Sequence, residues 1–237
     1  CGNCRLLPNG GSLRDLSYKV FKRKKAMLEG HDISFVTCSK WLEKEVRKSA
    51  LLTNQQIQTI PNPIDTRIFR PHDKKQARLR INLPLDMKVI LFVAQRIANE
   101  NKGIFYLIDA CHKMAAEHPE MVHNTFVAVL GGGRGNIGDV FDFCTGKLGY
   151  VNDTQQIVDI YNAADVFVLP SLSENLPNTI MEAMACGVPC VGFDVGGIPE
   201  EIDHRQNGYV AQYRSVDDLA RGLRWVLFEA DYDQLRR

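Results

Sequence analysis

The strongest constraint on the fold is a set of short apolar runs that do not alternate. Residues 89–94 (VILFVA), 125–130 (TFVAVL), 166–169 (VFVL) and 188–193 (VPCVGF) are hydrophobic at almost every position. A strand with one wet face would alternate, whereas one covered on both faces has no polar side to show. Between these runs the period changes to that of helices, over Gly103 to His118, Thr154 to Ala164 and Pro177 to Cys186. A short helical turn from Pro199 to Asp203 and a long helix from Val216 to Glu229 follow. Strand alternating with helix in this way predicts an α/β, doubly wound parallel sheet. Such a sheet places its ligand beyond the carboxyl ends of its strands. The loops of interest therefore carry Arg96 and Lys102, the run Gly131-Gly132-Gly133, residues Ser171 to Asn178, and Gly196 to Glu200.

The part before this alternation reads differently. Cys1 to Gly11 is turn-rich and begins without Met, which reads as an internal start. Residues 12 to 29 predict a basic helix with Lys19, Lys22, Arg23, Lys24 and Lys25. Its charges form either a solvated face or a surface that meets anionic lipid head groups, a peripheral membrane contact. A strand at Ile33 to Thr37, an N-cap at Ser39 and a helix at Trp41 to Lys48 follow. The segment TIPNPIDTRIFRP, 59–71, holds three prolines and reads as a linker. The expected division is residues 1–55 and 56–237.

A net charge of +1 supplies no global field for a nucleic acid partner. No apolar run approaches the roughly 18 residues of a spanning helix, and no charged-then-apolar leader is visible, so the expected location is cytoplasmic. The seven cysteines are scattered through helix and strand patterns and read as reduced packing thiols. Cys1 and Cys4 form a lone Cys-x-x-Cys without a second ligand pair, and no metal site is expected.

The loop after Leu169 leads into a helix with Pro177 at its expected first position and Gly187 as its stop. The free N–H groups and dipole of a helix start make a phosphate site without a basic side chain. Arg96 and Lys102 on the neighbouring loop are candidates for fixed positive charges facing a diphosphate. Glu174 stands before the helix and Glu182 about 7 to 8 Å into it. A diphosphate at the helix start thus leaves one carboxylate within reach of a ribose and the other of a sugar, a spacing suited to a nucleotide sugar. The bland alternative is a solvated Glu182 and a loop charge at Glu174.

These residues carry a resemblance. Gly149-Tyr150-Val151, the string YNAADVFVLPSLSENLPNTIMEAMACGVPCVGFDVGGIPEEI from Tyr161 to Ile202, NGYV at 207–210 and the linker IPNPID are similar to the donor-binding domain of retaining glycosyltransferases of the GT-B fold, family four, also called glycosyl transferases group 1. Its signature is Glu, seven residues, Glu, then Ala-x-Ala-x-Gly-x-Pro and a Gly-Gly turn. The resemblance covers residues 56 to 229, and residues 12 to 55 look like the last helix and strand of the acceptor-binding domain. Gln95 stands where the family has glycine, the stretch from Arg96 to Lys102 is one residue longer, and Pro63 replaces a linker glycine.

The resemblance implies that Glu174 binds hydroxyls of the transferred sugar near the reacting centre and that Glu182 takes the ribose hydroxyls. It implies that Arg96 and Lys102 neutralise the leaving diphosphate and that backbone N–H groups around Leu176, Pro177, Asn178 and Thr179 hold it, with Gly132 in a close-packed turn beside the nucleotide. Leaving-group stabilisation of this kind stands in for a metal. The implied activity is metal-independent, retaining transfer of a hexose from a UDP- or GDP-linked donor to a glycan or lipid-linked acceptor, in polysaccharide biosynthesis. No other cofactor is implied. Most of an acceptor-binding domain is not in the chain, so donor binding with little or no transfer is the expectation for these residues alone. A nucleotide-sugar epimerase of the same fold and a non-catalytic binding module are the competing readings.

Overall fold

The structure, a computed structural model, describes every residue except 1, 5–6, 8–10, 54, 98, 133–139 and 237. It divides into two compact units, Cys1–Pro61 and Asn62–Arg237. The division falls later than the expected 55/56 boundary because strand β2 (Gln56–Thr59) pairs in parallel with β1 (Ser34–Thr37). Backbone pairing thus ties residues 56–59 to the first unit. That unit also holds helices α1 (Leu16–Leu28) and α2 (Lys40–Arg47). Both are capped as side-chain chemistry dictates: Asp15 accepts from the Tyr18 N–H and Ser39 from the Leu42 N–H.

The second unit is built on six strands: β3 (Lys88–Arg96), β4 (Thr125–Gly132), β5 (Cys144–Gly149), β6 (Val166–Leu169), β7 (Cys190–Phe193) and β8 (Gly208–Ala211). They are all parallel, in the order β5-β4-β3-β6-β7-β8. The chain winds outward from β3 to β5, returns to the middle, and winds the other way from β6 to β8. The reversal lies between β3 and β6, where Ile90, Leu91 and Phe92 register with Val166, Phe167 and Val168.

Helices cover both faces of this sheet. Ile90 and Phe92 point to one face, toward residues of α4 (Ile104–Glu117) and α8 (Val216–Arg224); Val89 and Leu91 point to the other, toward α3 (Lys74–Arg80), α5 (Thr154–Ala163) and α6 (Asn178–Ala185). These four strand side chains are fully buried, each contributing about 1.5–3 kcal/mol of hydrophobic stabilisation. The period-2 geometry of a strand sends its apolar residues both ways, so an unbroken run is what two covered faces require. The fold class expected from the runs is the fold observed.

Some elements differ from expectation. The long helix at the end is α8 followed by a π-helical turn, Trp225–Glu229, and a short α9 (Tyr232–Leu235). The turn after β7 is α7 (Ile198–Glu201). Pro177 is the N-cap of α6, with extended backbone, not its first helical residue. Strands β2, β5 and β8 and helix α3 were not anticipated as such.

An ionic hub anchors α3 to the sheet. Asp165, at the start of β6, pairs with Lys74 at 2.6 Å and Arg78 at 2.6 Å and accepts from the Val89 N–H at 2.7 Å. Among the described residues, Cys111, Cys186 and Cys190 are buried free thiols and Cys144 is exposed. Cys1 lies outside the described residues. No helix among the described residues is long and apolar enough to cross a membrane.

Candidate functional site

The reversal between β3 and β6 brings two loops together. The loop after β3 runs through a 3-10 turn, Glu100–Lys102, and closes at Gly103, which is left-handed with φ 72°. A Cβ at Gly103 would lie 1.8 Å from the Pro170 carbonyl oxygen, so the start of α4 and the end of β6 touch backbone to backbone. The Leu172 N–H donates to the Asn101 carbonyl at 2.8 Å across the same junction. With both loops pinned, the Lys102 Nζ meets the Glu174 Oε1 at 2.5 Å.

A third loop presses on Glu174 from the other side. Gly196, at φ 61°, would put a Cβ 1.8 Å from the Glu174 carbonyl oxygen. Two glycine contacts, at Gly103 and Gly196, therefore set the position of the loop that carries Glu174.

Helix α6 starts immediately afterwards. No side chain caps it, and no acidic residue occupies its first turn, so its N-terminal dipole faces the loop without a built-in anion. Leu176 and Thr179 are partly buried, Pro177 is buried and Asn178 is exposed. The Asn178 Oδ1 accepts from the Asn62 Nδ2 at 3.0 Å, which ties the linker to the helix start.

Glu182 lies one turn inside α6 and is partly buried. Its Oε2 accepts from the Tyr161 hydroxyl at 2.7 Å. Burial pushes the Glu182 carboxyl above its ordinary range, and the Tyr161 hydrogen bond opposes that rise. Burial and the Glu182 charge together push the Tyr161 phenol well above its own range. Glu182 is thus held in one orientation by a buried phenol, and the solvated surface alternative does not describe it.

Arg96 ends β3 opposite Gly132. It is exposed, and its guanidinium makes no ion pair among the described residues. Gly131, at φ 146°, packs its backbone on Ala94, and the Gly132 carbonyl accepts from the Ile97 N–H at 3.1 Å. The turn at Gly131 and Gly132 closes on the end of β3; Gly133 lies outside the described residues. The structure thus brings Lys102 to Glu174 and leaves Arg96 at the rim. Among the described residues no group of three or more His, Cys, Asp or Glu side chains could hold a metal ion.

Three residues at this end of the sheet escaped the sequence reasoning. Tyr161 entered the sequence reading only as the start of the quoted string, and its hydroxyl partner, Glu182, appears only in the fold. Asn62 was hidden among linker residues. Glu201 of α7 drew no reading of its own from the sequence, yet both of its carboxyl oxygens are buried without a hydrogen-bond partner among the described residues.

Comparison with known proteins places this geometry. The family model of Glycosyl transferases group 1 matches residues 87–228. A D-inositol 3-phosphate glycosyltransferase 2 of Catenulispora acidiphila is 30% identical over 188 residues, covering 73% of this chain and 42% of the relative. A sucrose-phosphate synthase from Thermosynechococcus elongatus superposes with a TM-score of 0.75 at 25% identity, over 94% of this chain and 56% of that one. Anabaena HepE, solved in complex with UDP-glucose, superposes with a TM-score of 0.71 at 16% identity, over 99% of this chain and 64% of that one, a likeness of fold. The chain spans less than half the length of the inositol-phosphate relative. From its strand order, its paired loops and the matched residues, this chain belongs to the glycosyl transferases group 1 family.

Proposed function

We propose that the second unit binds a nucleotide diphosphate sugar at the carboxyl ends of β3 and β6. The diphosphate sits at the uncapped start of α6, against the backbone of Leu176 to Thr179, with Lys102 and Arg96 as its cations and Gly132 beside the nucleotide. The ribose hydroxyls bond Glu182, and the sugar hydroxyls bond Glu174. The observation that carries this reading is the Lys102–Glu174 pair at 2.5 Å: it sets a cation and a carboxylate side by side where the strand order reverses. A leaving diphosphate needs the first and a hexose the second. The HepE complex with UDP-glucose supports a donor of this class on this fold.

In the whole protein the reaction is transfer of a hexose to a glycan or lipid-linked acceptor with retention. The bond from the anomeric carbon to the donor phosphate breaks, the acceptor oxygen bonds the same face, and the acceptor's proton passes to the leaving phosphate. Lys102, Arg96 and the α6 dipole offset the charge that develops there, which makes the transfer metal-independent. Helix α1 has exposed Lys19, Lys22, Arg23, Lys24 and Lys25, no acidic residue, and exposed Leu16, Val20 and Met27. That composition supports a peripheral contact with an anionic membrane on its cytoplasmic side, where a lipid-linked acceptor is met.

The test is calorimetric titration of the chain with UDP, GDP and their hexose conjugates, beside Glu182→Gln. One nucleotide family should bind, and the variant should lose at least about 1 kcal/mol. A folded chain that binds no nucleotide at millimolar concentration would sink the proposal.

A further inference from the structure

Behind Glu174 lies a carboxyl for which the donor site has no use. Glu201 ends α7, and both of its side-chain oxygens are buried with no hydrogen-bond partner among the described residues. An ionised carboxylate without partners is among the most costly groups to bury, and it takes up a proton instead.

The place of α7 is tightly set. Gly192 of β7 would bring a Cβ within 2.9 Å of the Ile198 Cγ2, and Ile198 and Ile202 are buried against the sheet. Two residues before α7, Gly196 fits against the Glu174 backbone. The helical turn that carries Glu201 is thus fixed by the same loop that positions Glu174.

Among the described residues, the charged groups acting on Glu201 are Glu174 from the loop after β6 and Glu200 from its own turn, and the Cys190 thiol on β7 feels its charge in return. Among the described residues no cation pairs with it; Lys102 pairs with Glu174. Lys102 thus balances Glu174 and leaves Glu201 without a counter-charge among the described residues.

We propose that Glu201 is a positioning residue for Glu174, and that its neutral, proton-carrying form is the one in which the site accepts a sugar. With Glu201 neutral, Glu174 is the single negative charge opposed by Lys102, and its second oxygen is free to accept hydroxyls. When Glu201 loses its proton, the added charge pushes on the Glu174 carboxylate and unsettles its place against Lys102. Burial first, then the charges of Glu174 and Glu200, raise the Glu201 carboxyl to about 8, which places the change just above neutral pH. The inference rests on the nucleotide-sugar reading above.

The test separates the two. Dissociation constants of the 237-residue chain are measured for UDP, UDP-glucose, GDP and GDP-mannose between about pH 7 and about pH 9. The ratio of bare nucleotide to its sugar conjugate isolates the sugar's share and cancels titration of the base. In the wild type this ratio should fall about three- to tenfold across the range, while in Glu201→Gln it should stay at its neutral-pH value throughout. A flat wild-type ratio with bare nucleotide bound overturns the inference and leaves the donor reading standing. A Glu201→Gln ratio that falls as the wild type does also overturns it, since another group is then titrating. Failure of both bare nucleotides to bind overturns the donor reading and the inference together. The wild-type profile needs no variant to fold, and rescue by the neutral isostere is a result that a purely structural role for Glu201 does not produce.

Discussion

The Lys102 ammonium and the Glu174 carboxylate, 72 residues apart in sequence, meet at 2.5 Å with side chains 34% and 13% exposed. Both are anchored by backbone: Lys102 by the left-handed Gly103 against Pro170, and Glu174 by Gly196. Lys102→Met removes the cation proposed for the diphosphate and leaves Glu174 without its partner. Nucleotide binding should weaken about tenfold, near 1.4 kcal/mol, as for a lost charge-assisted hydrogen bond. Calorimetry with UDP and GDP measures this, and an unchanged affinity would remove Lys102 from the diphosphate site.

Gly196→Ala tests the backbone contact behind Glu174. The new methyl would lie 1.8 Å from the Glu174 carbonyl oxygen, and the residue would keep a positive φ of 61°. Gly149→Ala is the control, since Gly149 has a similar φ of 75° but open space around it. The control should cost only the backbone strain, about 1–2 kcal/mol. Gly196→Ala should cost more in thermal melts, and it should abolish the advantage of a sugar conjugate over the bare nucleotide. Equal effects of the two substitutions would show that the contact does not position Glu174.

How much of this was readable in the sequence follows from where each residue's neighbours lie. Strand β6, Val166–Leu169, has the limits that its apolar run suggested, because four buried residues in succession need two covered faces. Strand β5, CTGKLG, was missed because it is an edge strand with two glycines and no buried residue. Helix α3, KKQARLR, was missed for a different reason: beside Ala77 its buried residue is Arg78, which enters the core through Asp165. A charged anchor gives no hydrophobic period to read. Glu174 and Glu182 were legible because their spacing is local. The partners Tyr161 and Lys102 come from other elements, and Glu201 looks like any charge on a helical turn until α7 packs it against β7.

Tyr161→Phe probes the orientation of Glu182. The substitution keeps the ring that stacks edge-on against Phe167, at 5.9 Å between centroids, and removes the hydroxyl that donates to Glu182 at 2.7 Å. The fold should lose about 1 kcal/mol or less, seen as a small shift in denaturant midpoint. Nucleotide binding should weaken more than that, because the carboxylate proposed to accept the ribose hydroxyls is no longer held. Unchanged nucleotide affinity would mean that Glu182 needs no help from Tyr161 to meet its ligand.

Asp165 sets the acid limit of the fold. Burial pushes its carboxyl up, but the Lys74 charge and hydrogen bond, the Arg78 charge and the Val89 N–H outweigh burial and hold it below its ordinary range. A carboxyl depressed in the folded state contributes stability that is present above its unfolded value of roughly 3.9 and lost as pH falls through the folded one. Asp165→Asn removes this contribution and leaves Arg78, 5% exposed on its side chain, without a counter-charge. Breaking a buried pair from one side costs about 3–5 kcal/mol, and at this chain length a melting temperature lower by about 6–20 °C near neutral pH is expected. The gap between wild type and variant should narrow as the pH is taken below about 4, where Asp165 in the unfolded wild-type chain takes up a proton before the folded carboxyl does. Melts across that range decide the matter: a gap that stays constant with pH would show that packing, rather than the charge of Asp165, holds α3 to the sheet.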